Sequence, residues 1–100
     1  MLKQVVIWTL QDKCFGPNLS AIKGNIKTRF EELNGQVPGL NRIEVHSECM
    51  SSSNGDVIMV AEFEDESSLK QRENNEMWSA AMKETVVPFV EVTTHVEYAY

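Results

Sequence analysis

Apolar residues recur along this chain at a spacing that changes several times, and each change marks an element. Residues 2–10 (LKQVVIWTL) are β-branched and aromatic and too short for a capped helix, which predicts a first strand. Gly16-Pro17 breaks it. Leu19, Ile22, Ile26, Phe30 and Leu33 then recur at three- and four-residue steps, the face of an amphipathic helix, with Asn18 as its expected N-cap and Asn34-Gly35 as its stop. Gly24 lies inside that helix at a cost of about 1 kcal/mol relative to Ala. Val37-Pro38-Gly39-Leu40 reads as a turn. A second strand follows, with Ile43, Val45, Ser47 and Cys49 on one face and Arg42, Glu44, His46 and Glu48 on the other. The run Ser51-Ser52-Ser53-Asn54-Gly55-Asp56 predicts a hairpin loop, and strand 3 follows from Val57 to Glu64. A helical segment capped by Ser67 carries Leu69 inward and breaks near Asn74-Asn75. It resumes with Asn75 as N-cap and Glu76 in the first turn, runs through Trp78, Ala81 and Met82, and ends before Pro88. Residues 92–99 (VTTHVEYA) close the chain as strand 4.

The order βαββαβ predicts an α+β fold of ferredoxin-like topology over residues 1–100, a four-stranded antiparallel sheet with two helices on one face. The other face is the informative one. A sheet with one wet side alternates apolar and polar residues. Strand 1 instead offers Val5 and Ile7 on one face and Val6 and Trp8 on the other, and strand 3 sets Val57, Met59, Ala61 and Phe63 against Ile58 and Val60. A four-stranded sheet of this length has roughly 400 Å² per face, whose exposure forfeits on the order of 10 kcal/mol. Helices cover one face only, so the expected cover for the second is another copy of the chain, and the partner is a homodimer.

Composition narrows the classes. The formal charge of −6, with nine basic residues scattered among fifteen acidic ones, argues against nucleic acid. The two cysteines, Cys14 and Cys49, have no metal-ligand spacing, and the sequence points to no metal and no cofactor. The apolar opening is too short for a signal peptide or a membrane span, so no membrane partner and a cytoplasmic location are expected, and the sequon at Asn18-Leu19-Ser20 is a chance match.

The opening strand, the Val37-Pro38-Gly39-Leu40 turn, the strand end Ala61-Glu62-Phe63-Glu64 and the late Val87-Pro88-Phe89-Val90 resemble the stress-responsive α/β-barrel (Dabb) family. The likeness implies a dimeric α+β barrel. Family members commonly carry a histidine in the slot filled by Gln4, and a His-Pro-x-His run where Asn75, Glu76 and Trp78 fall here. A plant polyketide cyclase of this fold relies on histidines from those regions and on a tyrosine whose position matches Arg72. Neither Gln4 nor Asn75 can take up a proton near neutral pH, so the resemblance implies that this chemistry is absent or uses other groups. On that ground no catalytic residue is assigned.

Gln4 and Trp8 share a face of strand 1 and, with Asn75 and Trp78, are the candidate ligand-binding residues of a pocket between subunits. Asn75 reads equally as a helix cap and Trp78 as core. Glu44, His46 and Glu48 share a face, as do Thr93, His95 and Glu97. The two strands lie on opposite sheet edges, roughly 14 Å apart, so the histidines could meet only across a dimer seam, and charged edge strands also simply deter aggregation. Cys49 reads as a small buried hydrophobe. Three functions stay open: a dimeric barrel binding a small apolar or aromatic molecule without established catalysis, which this reading favours; a cofactor-independent enzyme of the polyketide-cyclase or monooxygenase kind; and an association module.

Overall fold

The period-two segments pair as strands and the longer periodic ones pack over them. The computed structural model describes all 100 residues. Strands β1 (Leu2–Leu10), β2 (Leu40–His46), β3 (Val57–Phe63) and β4 (Val90–Ala99) form one antiparallel sheet in the order β2-β3-β1-β4. Helix α1 (Leu19–Glu31) joins β1 to β2. The β3-to-β4 connection holds α2 (Glu66–Gln71), a 3-10 turn at Arg72–Asn74, α3 (Glu76–Ala81) and a π-helical turn at Met82–Val86. The break expected near Asn74-Asn75 divides the second helical segment in two, so three helices cover the sheet.

One face of every central strand is buried beneath these helices. Val6, Trp8 and Leu10 from β1, Ile43 and Val45 from β2, and Val57, Met59, Ala61 and Phe63 from β3 meet Ile26, Phe30 and Leu33 from the α1 face. Across the opposite face the register sets Val60, Val5 and Val96 in one row and Ile58, Ile7 and Thr94 in the next. Val96 remains 56% exposed and Val92 49%, which leaves an apolar stripe uncovered. Both faces of β1 and β3 are thus apolar, as the sequence predicts.

Two glycines act through their backbone. Gly35 (φ 78°) ends the α1 region, and Gly39 (φ 80°) opens β2. A Cβ on Gly39 would lie 2.1 Å from Ser68 Oγ, so only glycine lets the turn seat α2, and its carbonyl accepts from Glu64 N–H at 2.9 Å.

Several local expectations are corrected. Asn18 precedes α1 but makes no side-chain cap bond; its backbone (φ −97°, ψ 4°) is not the extended conformation that aims a cap inward. Asp65, not Ser67, caps α2, because its extended backbone lets the carboxylate accept from Ser68 N–H at 2.8 Å. Strand β2 stops at His46, so Ser47, Glu48 and Cys49 lie beyond it, and Cys49 is half-buried rather than core. Cys14 is the buried thiol, its Sγ 3.5 Å from the Phe89 carbonyl. Strand β4 begins two residues early, at Val90.

The two sheet edges are finished differently. On β2, Asn34 imitates a neighbouring strand: its amide donates to Ile43 O at 2.9 Å and accepts from Ile43 N–H at 2.9 Å. One turn earlier Glu31 accepts from Val45 N–H at 3.0 Å while Lys27 donates to Val45 O at 2.7 Å. On β4 every residue after Val90 is exposed.

Candidate functional site

Helical cover stops short of β4, and a cleft of about 850 Å³ opens between that strand and the second helical segment, a volume in the range of small-molecule sites. Alternation along β1 turns Gln4, Val6 and Trp8 into its floor. The antiparallel register then sets Glu97 opposite Gln4, His95 opposite Val6 and Thr93 opposite Trp8, so the polar parity of β4 forms one wall. Leu69, Arg72, Trp78 and Met82 form the facing wall.

Aromatic packing holds the indoles in place. Trp8 lies 5.3 Å from Phe30 between ring centroids, Phe30 meets Trp78 edge-on at 5.4 Å, and Phe63 meets Trp78 at 6.5 Å. The Arg72 guanidinium stacks 5.2 Å from the Trp78 centroid and 5.8 Å from that of Phe63, and donates to the Leu69 carbonyl. Burial pushes the Arg72 pKa down, with Glu73 and Glu97 opposing that shift; a guanidinium nonetheless stays cationic.

Three buried side-chain atoms lack a hydrogen-bond partner: Gln4 Oε1, Trp8 Nε1 and Arg72 Nε. All three belong to residues lining this cleft. An orphaned buried polar atom costs about 1–3 kcal/mol, and nowhere else in the chain do such atoms occur.

Of the residues selected from sequence, Gln4, Trp8 and Trp78 come together here. Asn75 does not join them: its Oδ1 accepts from Met77 N–H at 3.0 Å and Trp78 N–H at 3.1 Å and so caps α3, an interaction of the kind worth about 1 kcal/mol. The face of β1 bearing Gln4 and Trp8 turns toward the helices, and residues of this one chain line the cleft. His46 and His95 fall on opposite faces of the sheet as well as opposite edges: His46 pairs with Ile58 on the outer face, His95 with Val6 on the inner. His46 Nε2 sits 3.7 Å from Glu44 Oε1, outside the cleft. His95 Nδ1 lies 2.7 Å from Glu97 Oε2, inside it. Arg72 lines the cleft too; periodicity did not single it out, and its sequence signal is the resemblance, which sets it where the plant cyclase has a tyrosine. No three His, Cys, Asp or Glu side chains cluster as a metal-binding group.

No protein-family profile matches the chain, and a search of curated proteins found no match. Among solved structures, the chain is similar to a dimeric protein of unknown function and ferredoxin-like fold from Bacteroides fragilis, at 19% identity and TM-score 0.90, over 99% of this chain and 95% of that one. It is similar to a Dabb-family protein with a ferredoxin-like fold from Mesorhizobium loti, at 15% identity and TM-score 0.73, over 99% and 95%. It is also similar to a putative antibiotic biosynthesis monooxygenase from Nitrosomonas europaea, at 13% identity and TM-score 0.74, over 100% and 98%. At these identities the likeness is one of fold. Together with the β2-β3-β1-β4 order, it assigns the chain to the ferredoxin-like α+β fold.

Proposed function

We propose that this chain is a homodimer of the stress-responsive α/β-barrel type that binds a small apolar or aromatic molecule in the cleft of each protomer. The observation that carries the reading is the coincidence of the three partnerless polar atoms, on Gln4, Trp8 and Arg72, with the residues lining one cleft. Two indoles give the cleft aromatic walls, and a planar ligand with polar substituents matches both features. The homodimer is supported by the uncovered stripe of Val5, Ile7, Val60 and Val96, and by the dimeric relative from Bacteroides fragilis.

Trp8 and Trp78 make intrinsic fluorescence a direct readout. Titration with a panel of bicyclic aromatics is expected to give saturable quenching. Replacing Trp8 with Phe removes the Nε1–H but keeps a ring, and this variant and Gln4→Leu should each weaken binding about tenfold, the worth of one buried hydrogen bond. A cleft that takes up no aromatic compound would leave the chain an association module. The enzyme reading draws on one observation, the His95–Glu97 pair inside the cleft.

A further inference from the structure

The polar wall of β4 sets an imidazole beside a carboxylate at the cleft, His95 next to Glu97. His95 stands in the middle of that wall, opposite Val6, with the Gln4–Glu97 rung on one side and Trp8–Thr93 on the other. An ionised carboxylate only accepts hydrogen bonds, so the 2.7 Å contact between Glu97 Oε2 and Nδ1 assigns the ring proton to Nδ1. The lone pair is then on Nε2, and a carboxylate that fixes the tautomer also stabilises the imidazolium formed on proton uptake. The facing wall holds the Arg72 cation, whose Nε–H lacks a partner, and the floor holds the Trp8 indole, whose Nε1–H is likewise unpartnered. Both are donors. They call for an oxygen acceptor on the ligand, and an anionic one suits the guanidinium. The carboxylates and the Lys and Arg cations of the cleft balance in number: Glu66, Glu73 and Glu97 against Lys70, Arg72 and Lys83.

We propose that the ligand is a hydroxylated aromatic and that His95, oriented by Glu97, holds it as a phenolate. The phenolic O–H bond breaks, its electron pair stays on oxygen, and the proton forms a bond to His95 Nε2. The product is an imidazolium–phenolate pair whose oxyanion faces Arg72. No oxidant or cofactor takes part in this step. The inference rests on the cleft being a ligand site.

The test uses two probes of similar shape, 4-nitrophenol and 4-nitroanisole, the second having no proton to lose. Tryptophan quenching reports binding of either, and the visible nitrophenolate band reports ionisation of the first. Below the pKa of free 4-nitrophenol, the bound probe is expected to show about a tenfold higher phenolate-to-phenol ratio than the free probe, equivalent to one pKa unit. His95→Gln should abolish that enrichment and Glu97→Gln should reduce it, while both variants still bind 4-nitroanisole. That binding also certifies that the variants are folded. Enrichment that survives His95→Gln would assign ionisation to Arg72 and overturn the proposal, as would binding of both probes without enrichment. If neither probe binds the wild-type chain, the ligand site itself falls, and the proposal with it.

Discussion

The two outer strands of this sheet face opposite circumstances. Strand β2 is closed off by its own chain: Asn34, Glu31 and Lys27 take the hydrogen bonds that a further strand would make to Ile43 and Val45. Strand β4 has no such screen, and from Glu91 on its residues are exposed on both faces. The apolar stripe runs to its outer side, and the cleft opens on its inner side. Self-sufficiency at one edge and incompleteness at the other mark, without any motif, where the proposed ligand and partner would act. What the fold leaves unsatisfied is what a ligand or a second copy can satisfy.

Breaking the open side gives the largest expected effect. Val96→Asp buries a charge in each of two symmetric copies and should weaken the dimer by about 3 kcal/mol or more, leaving the fold of the exposed strand intact. Sedimentation equilibrium on wild type and variant checks this, and a wild-type monomer at micromolar concentration would refute the homodimer. At the closed side, Asn34→Ala strips Ile43 N–H and C=O of their partner and should cost about 2 kcal/mol in urea melts, with faster amide exchange at Ile43 and unchanged quenching by aromatics. A loss well under that figure would mean that water replaces the amide freely. The smallest effect is one of pH. Burial pushes the Glu31 carboxyl up, but the Val45 N–H and the Lys27 ammonium outweigh it and hold the pKa below the ordinary 4.5. A depressed carboxylate stabilises the fold above its unfolded pKa, and that stability is lost as pH falls through the folded value. The stability difference between wild type and Glu31→Gln should therefore shrink as pH falls below 4.5. A pH-independent difference would show that the charge on Glu31 contributes nothing.

Much of the fold was legible because apolar periods in β1, α1 and β3 are long and unambiguous. Asn75 could be read as a cap from its place between two short helical runs. The cleft was legible only in part. On β4 the apolar residues Val92 and Val96 share one parity and Thr93, His95 and Glu97 the other. The usual rule would turn the apolar parity toward the helices. Here it faces away, because the outer face is the apolar one and the helices stop short of β4, so sequence alone could not say that His95 and Glu97 enter the cleft. Nor could it reveal that Asn34, a plain helix-stop residue in sequence, bonds nine positions ahead to Ile43. That contact exists only once α1 lies beside β2.

The Asn34 seal also sets the valence of the molecule. A building block with two reactive ends polymerises, whereas one with a single reactive end is a chain stopper. With the β2 end closed, association through strand edges has only β4 to use, and two β4 edges that meet consume each other. A single protomer then has no second edge from which a filament could propagate. Opening the β2 edge fully, which takes loss of the Glu31 and Lys27 contacts to Val45 as well as those of Asn34 to Ile43, would give each protomer a second reactive end.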